Sequence, residues 1–459
     1  MFGRVDSIHM VGIGGIGMSG IAHILHNIGF AIAGSDIARS EITQMLEQSG
    51  IRVQIGHSKE NLREADVVVI SSAIKPDNPE IAAACERGIP IIGRGEMLGE
   101  LMRMKYSIAV SGTHGKTTTS SIISFILELA ELDPTSIIGG KVLEMGSNAR
   151  LGQSEYLVAE ADESDRSFLH LFPTIAVVTN IEAEHMDYYS SFADIKSCFK
   201  QFTEKIPFYG LAILCGDDEG VRAILPDLSV RKMTYGLEKD NDLRPMWRRN
   251  KGWKSRFVLK LDERLHEFEL NLPGEHNMRN ALAAIAVGRE LKVSPTVMKE
   301  ALARFRGVRR RMEKVDEVEG ITFIDDYGHH PTEIRVTISS IRRIFNGQPL
   351  RVLFQPHRYS RTKHLHALFG PAFKEADEVV VTDIYRASEQ PIEGVGPELI
   401  LESIKKEAPN ASSQIITDRE KIVDYFAKTL KPGDVFLTLG AGDVWKIGAE
   451  ILERVSARN

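Results

Sequence analysis

Apolar, β-branched runs recur along the chain, each followed by a glycine or polar turn and then a stretch with helical spacing: SIHMVGIGG, ADVVVISSA, YSIAVSGTHG, YLVAEAD, TIAVVTN, PLRVLFQPH, DEVVVTDIY and DVFLTLGAG. A strand with one wet face alternates apolar and polar positions. A near-continuous apolar run predicts a strand buried on both faces, as in a parallel sheet covered by helices. Strand alternating with helix places the chain in the α/β class. Residues 244–273 break the pattern: apolar and polar positions partly alternate, which predicts antiparallel strands. NALAAIAVGRELK (280–292) then reads as a helix, RFRGVRRRM (304–312) as a basic segment and GITFIDDYG as a new strand. Earlier, MLGELMRMKYS reads as the helical tail of one unit running into the first strand of the next. These breaks divide the chain into units of residues 1–105, 106–312 and 313–459, with Gly307 and Val308 as a candidate hinge.

Composition removes several function classes. Basic and acidic residues number 57 and 63, a net charge of −6, so no basic field favours nucleic acid. No apolar run reaches the roughly 18 residues that a membrane span needs, so no membrane insertion is expected. The N-terminus runs into a glycine-rich strand and turn, unlike a signal peptide. Cys85, Cys198 and Cys215 are too far apart for a zinc pattern or a disulfide framework, and a reducing cytoplasm is the simplest compartment.

Two glycine sites carry the chemistry. The first, Gly12-Ile13-Gly14-Gly15-Ile16-Gly17, lies between a strand and a helix. Its glycines let backbone approach a diphosphate, and the helix N-terminus offers unpaired N–H groups. Asp36, after the second strand FAIAGSD, stands where a dinucleotide fold places its ribose-binding acid. The residues alone leave NAD(P) and any other diphosphate ligand open. Ser71-Ser72-Ala73-Ile74 and Gly93-Arg94-Gly95-Glu96 are further candidates for the crevice at the strand ends. The second site is Ser111-Gly112-Thr113-His114-Gly115-Lys116-Thr117-Thr118 after a buried strand. Loop N–H groups there can wrap phosphates, Lys116 can neutralise their charge and Thr117 can offer Mg²⁺ a hydroxyl. Val110 stands where the general phosphate-loop pattern has its first glycine. Two strand ends follow. Glu160, Asp162, Glu163 and Asp165 would repel one another unless a cation relieved them, and His185 lies among Glu182, Glu184 and Asp187. A dehydrogenase needs neither a phosphate-loop lysine nor such an acidic cluster.

Taken in order, Gly112 to Thr118, Glu160, Asn180 to Asp187, and Gly274-Glu275-His276-Asn277-Met278-Arg279-Asn280 resemble the Mur ligases over essentially the whole chain. These are the ATP-dependent amide-forming enzymes of peptidoglycan precursor synthesis. Asp325 to Glu333, Gln355 to Thr362 and the N-terminal Gly-Ile-Gly-Gly-Ile-Gly-Met-Ser-Gly are similar to the branch that joins L-alanine to UDP-N-acetylmuramate. A sibling branch adds a whole tripeptide and tends to carry Asp-Asp-Phe-Ala-His-His-Pro and another arginine loop. Gly328, Arg358 and Arg361 favour the alanine branch.

The resemblance implies a Rossmann-like N-terminal domain for the UDP sugar, a central ATP-binding domain of the P-loop type and a Rossmann-like C-terminal domain for the amino acid. It implies ATP and Mg²⁺ as cofactors and an acyl-phosphate route. UDP-sugar contacts are expected at Gly12, Gly14, Gly15, Ile16, Gly17, Met18, Ser19, Asp36, Ser71 and Ser72. ATP contacts are expected at Gly112, Thr113, His114, Gly115, Lys116, Thr117, Thr118, His276, Asn277 and Asn280. The metal set is Thr117, Glu160 and His185, and the alanine set is Tyr327, His329, His357, Arg358 and Arg361. Catalysis falls to Lys116, Glu160, His185, His329, Arg358 and Arg361. His330 before Pro331 reads as structural, and Asp325 and Asp326 are candidates to reach toward the nucleotide. The basic stretch Arg309 to Arg311 reads equally as a phosphate contact or as solvated. Several relatives carry a carbamylated lysine after the histidine; neither Lys196 nor Lys200 is assigned that role. A monomer or weak homodimer is expected. The rival classes are a nicotinamide-dependent dehydrogenase and a nucleotide-gated binding protein without chemistry.

Overall fold

The computed structural model describes residues 5–63, 65–71, 73–139, 149–150, 152–184, 186, 188–387 and 389–458. The chain divides into two compact units: Met1–Arg249, Arg256–Asn271 and Asn277–Arg306 form the first, and Asn250–Ser255, Leu272–His276 and Gly307–Asn459 the second.

The first unit opens with β1 (Ser7–Val11), β2 (Ala31–Asp36), β3 (Arg52–Ile55), β4 (Val67–Ile70) and β5 (Ile91–Gly93). They form a parallel sheet in the order β3-β2-β1-β4-β5. Strand order reverses at β1, and ligands of such sheets bind over the C-terminal strand ends at that reversal. A second sheet follows: β6 (Tyr106–Ser111), β7 (Thr135–Ile137), β8 (Ala149–Arg150), β9 (Tyr156–Glu160), β10 (Ile175–Val178), β11 (Leu211–Cys215) and β12 (Lys232–Tyr235). Its order is β12-β11-β10-β6-β9-β7-β8, with β7 and β8 antiparallel and the other pairs parallel. Because β9 and β10 flank β6, the loop after β6 emerges between the acidic end of β9 and the Thr179-Asn180 end of β10. One apolar cluster runs through both sheets, from Ile8, Met10 and Val69 to Phe168, Phe199 and Phe202.

Strands β13 (Trp247–Lys251), β14 (Lys254–Leu261) and β15 (Arg264–Leu270) form a small sheet in sequence order. In β14 Ser255, Phe257, Leu259 and Leu261 are buried while Lys254, Arg256 and Lys260 face water, the period of a strand with one wet face. In the second unit β16 (Glu313–Val318), β17 (Ile321–Asp326), β18 (Leu350–Phe354), β19 (Glu378–Val381), β20 (Ser412–Ile415) and β21 (Val435–Leu439) form a sheet ordered β16-β17-β21-β18-β19-β20. It is parallel except for β16, which runs antiparallel to β17. All eight apolar runs noted in the sequence are strands of these sheets, whereas polar β3, β16 and β20 lie at sheet edges. Among the described residues, no helix is long and apolar enough to cross a membrane.

Beneath the first sheet's strand ends lies a buried carboxylate. Glu80 accepts bonds from His9 Nε2 (2.9 Å), Ser35 Oγ (2.7 Å), Ser58 N (3.1 Å) and Asn61 Nδ2 (2.6 Å). Burial pushes its pKa up, but the bonds from His9, Ser35 and Asn61 prevail and bring it from 4.5 to about 2. A carboxylate with a depressed folded pKa contributes stability above its unfolded pKa and loses it as pH falls through the folded one. The stability advantage of the native protein over Glu80→Gln should therefore shrink by roughly 3 kcal/mol between pH 4.5 and pH 2. Urea unfolding across that range checks this, and a gap that does not change with pH would refute it.

Candidate active site

At the end of β1 the N–H groups of Gly12 and Ile13 bond Ser35 O at 2.8 and 3.0 Å, and helix Ile16–Ile28 starts after Gly15. Asp36 Oδ2 accepts the Gly14 N–H at 2.8 Å, so this acid also pins the glycine turn. Ser71 lies beside Gly12, while Met18 and Ser19 are buried. Ser72 and the Ile16 side chain lie outside the described residues. Arg94 gains a sharper place than its segment alone suggested. A Cβ on Gly17 would sit 2.9 Å from Arg94 Nη1, so the guanidinium lies directly over this helix start and a side chain there would make it shift. Arg94 Nη2 is also 4.0 Å from Asp162 Oδ2 at the end of the second sheet's β9 loop. One cation thus adjoins both glycine sites, and it strengthens the first as an anion site.

The second glycine loop is held from three sides. Asn180 accepts the His114 N–H (2.8 Å) and donates to His114 O (2.9 Å). Thr179 Oγ1 donates to His114 O (2.6 Å), and Glu182 N donates to Thr113 Oγ1 (2.9 Å). From helix Glu275–Glu290, Asn280 approaches Gly115 and accepts from Thr119 Oγ1 at 3.2 Å. Asn277 and Asn280 are both buried and 3.3 Å apart, so these two adenine candidates also brace the phosphate loop. Thr118 is buried and His276 occupies the first turn of the same helix.

Gly112 has φ +137°, and an added Cβ would lie 2.0 Å from Thr179 Oγ1. Gly112→Ala should raise the ATP KM by at least about tenfold, because alanine meets both strain and a clash there. Titration with a fluorescent ATP analogue checks this; unchanged affinity would deny the loop its phosphate.

Lys116 does not wait in solvent. Its Nζ donates to Gly112 O (2.6 Å) and to both Glu163 oxygens (2.9 and 2.8 Å). Burial works against the ammonium, yet Glu163, Asp162 and Glu160 prevail and hold Lys116 more firmly protonated than an exposed lysine. Which of the four acids would take this role was not legible in the sequence, since it depends on which carboxylate turns inward. Glu160 takes another: Oε2 accepts from Thr117 Oγ1 (3.3 Å) and Oε1 from Gly139 N (2.7 Å). The structure thus brings Thr117 and Glu160 together, whereas His185 lies outside the described residues. Lys196 packs over the Phe192 ring at 5.0 Å.

In the second unit, loops after β17 and β18 gather the third group. The Tyr327 and His329 rings are 5.5 Å apart, and His329 and His357 are 5.4 Å apart. Tyr385, which the sequence did not single out, stacks on His357 at 5.6 Å with 9° between the planes. Arg361 Nη1 donates to His357 Nδ1 at 3.1 Å. Burial, His329 and the two arginines push His357 down to about 3, so it stays neutral. His329 Nδ1 is 3.1 Å from Tyr327 O, which gives the proton to Nδ1 and makes Nε2 the basic nitrogen of the neutral ring. Arg358 has φ +71°, costly for a non-glycine residue, and its buried Nε has no hydrogen-bond partner among the described residues. A guanidinium with an unused donor, carried on a strained backbone, suits an incoming anion.

His330 caps helix Pro331–Ile344, its Nδ1 accepting from Thr332 N at 3.3 Å, as its place before Pro331 suggested. Asp325 and Asp326, the candidates to reach toward a nucleotide, are engaged within their own unit. Both are buried, Asp325 binding Arg310 Nε (3.1 Å) and Thr438, and Asp326 accepting from Met312 N, Gly328 N and Thr337 within their own unit. Burial pushes Asp326 up to about 6, against the pull of Arg311 and the N–H donors. Arg310 accordingly turns into its own unit, its Nη2 donating to Gly440 O at 2.6 Å.

Residues 7–106 match the Mur ligase family catalytic domain, 110–288 the Mur ligase middle domain and 310–442 the Mur ligase glutamate ligase domain. The chain is 51% identical over 458 residues to the UDP-N-acetylmuramate–L-alanine ligase of Geobacter sp. (strain M21), covering 100% of this chain and 99% of that one. It is 49% identical to that of Sorangium cellulosum, covering 96% and 95%. Among solved structures, the UDP-N-acetylmuramate–alanine ligase of Thermotoga maritima superposes with a TM-score of 0.82 at 30% identity, over 99% of this chain and 100% of that one. A murein peptide ligase from Psychrobacter arcticus shares the fold, with a TM-score of 0.72 at 24% identity over 99% of each chain. With all three family domains in order and half its residues identical to full-length relatives, the chain belongs to the Mur ligase family.

Proposed function

We propose that the protein joins L-alanine to UDP-N-acetylmuramate at the expense of ATP, giving UDP-N-acetylmuramoyl-L-alanine for peptidoglycan synthesis. The observation that carries this is identity of about half over the full length to relatives named for that reaction. In this reading residues 1–105 hold the sugar nucleotide, 106–312 the ATP and 313–459 the amino acid. ATP and sugar-nucleotide substrates make the cytoplasm the place of action.

A free carboxylate resists attack by an amine because oxide would have to leave. The sugar-nucleotide carboxylate therefore attacks the γ-phosphorus of ATP, releasing ADP and forming an acyl phosphate. The alanine amine adds to its carbonyl carbon, and the tetrahedral intermediate expels phosphate to leave the amide. The first step brings two anions together, so positioning and charge neutralisation dominate. Lys116 exchanges Glu163 for phosphate oxygen, and the loop N–H groups orient the triphosphate. Arg94 bridges toward the diphosphate of the sugar nucleotide. Thr117 Oγ1 and Glu160 Oε2, 3.3 Å apart beside the loop, form an oxygen pair suited to Mg²⁺. When bound, the ion supplies positive charge to phosphate oxygens, and His185 completes its ligand set in this reading. Arg358 and Arg361 clamp the alanine carboxylate. His329, rather than the weakly basic and arginine-bonded His357, accepts the amine proton.

Phosphate release with ATP, UDP-N-acetylmuramate and a panel of amino acids tests the proposal. L-Alanine should be preferred over glycine and serine by about 1–3 kcal/mol, the worth of a methyl or hydroxyl. Release with the tripeptide alone would overturn it.

A further inference from the structure

The buried network beneath the first sheet's strand ends has a direction. Ser35 Oγ donates its single proton to Glu80 Oε2 at 2.7 Å. The same oxygen lies 2.9 Å from His57 Nδ1. A hydroxyl has one proton to donate, so toward His57 it can only accept, and Nδ1 must carry a hydrogen. Glu80 Oε1, 3.8 Å from the same nitrogen, favours that proton too. Glu80 cannot reverse the chain: it is fully buried, accepts four hydrogen bonds and stays ionised. In the neutral imidazole, Nε2 is then a bare acceptor. Nε2 has no protein partner among the described residues, and the side chain keeps 13% of its surface exposed.

His57 follows β3 at the same C-terminal end of the sheet as the glycine turn and Asp36, with Gly56 N bonded to Asp36 O at 2.8 Å. A nucleotide whose diphosphate sits at the β1 turn and whose ribose lies near the acid ending β2 carries its base outward toward β3. We propose that Glu80 and Ser35 are positioning residues that lock His57 with a proton on Nδ1, so that Nε2 accepts the N3–H of uracil and selects uridine over cytidine nucleotides. Cytosine presents a bare N3 at that place, and two acceptors would face each other. A site built to receive an N–H rejects an analogue lacking it, because its own polar group is left unpaired.

The inference rests on the sugar-nucleotide reading of the first sheet, and two measurements separate them. Long-range ¹H–¹⁵N NMR of the imidazoles, with His57 assigned by its loss in His57→Ala, reports the tautomer. The native protein should show the proton on Nδ1, and Ser35→Ala should mix the tautomers. Competition by UDP and CDP against UDP-N-acetylmuramate reports selectivity. The native protein should favour UDP by about tenfold, the worth of one satisfied hydrogen bond. Ser35→Ala and His57→Ala should each bring the ratio close to unity, with the KM for ATP unchanged. His57→Ala serves as the check should buried Ser35 not tolerate replacement. A proton on Nε2 in the native protein, or a UDP/CDP ratio that survives both substitutions, overturns the inference while leaving the sugar-nucleotide site standing. Failure of UDP to compete at all overturns the site itself.

Discussion

Lys116→Ala is expected to lower kcat by at least 10²–10³, about 3–4 kcal/mol, the usual cost of removing one preorganised charge from a developing anion. The expectation follows from where the lysine is. Its ammonium is fixed by Gly112 O and Glu163 beside the loop proposed to grip phosphate. Burial already raises the Glu163 carboxyl to about 7 with the lysine beside it, so in the alanine variant it takes up a proton and the triphosphate meets a neutral acid in place of an ammonium. Binding of UDP-N-acetylmuramate should change by less than about twofold, since the glycine turn at Gly12 belongs to a different sheet and Lys116 bonds none of its residues. Calorimetric titration with the sugar nucleotide and phosphate-release kinetics on one preparation separate the two effects. Wild-type turnover in this variant would remove the basis of the proposed ATP site.

Arg361→Glu should raise the alanine KM by about 10²–10³ while the ATP KM moves by no more than about threefold. Removing one partner of a desolvated charge pair costs about 2–5 kcal/mol, and reversing its sign adds repulsion. Arg361 also donates to His357 Nδ1, so the substitution frees a histidine that the native protein keeps neutral. Arg361→Lys retains charge without the planar fork and should fall between the two. Equal rises in both KM values would show that Arg361 supports the fold of its unit and not the amino acid.

The difference between what could be read from the chain and what could not is clearest at particular residues. Strand β10 is legible because TIAVVTN is buried on both faces and any fold must hide it. Strands β3, β16 and β20 lack such runs because an edge strand needs a neighbour on one side only. The loop at Lys116 is legible because phosphate binding depends on a few consecutive N–H groups and one lysine. Glu163, Arg94 and Tyr385 were visible only as members of short segments. Their roles arise from contacts between residues far apart in sequence, and Asp325 and Asp326 show the converse. In the sequence they are candidates to reach toward a nucleotide, yet hydrogen bonds inside their own unit claim their oxygens.

By itself, then, the sequence determined the class of fold, the two glycine-rich turns between strand and helix and the family, because each depends on local pattern: apolar periodicity, glycine spacing and short motifs. Only the tertiary structure decided which acid holds Lys116, which arginine adjoins both turns, which histidine stays neutral and which way the protons run from His57 to Glu80. Those outcomes depend on burial and on distances of about 3 Å between chain-distant atoms, where the energy of a charge or hydrogen bond is set by its surroundings and not by its neighbours along the chain.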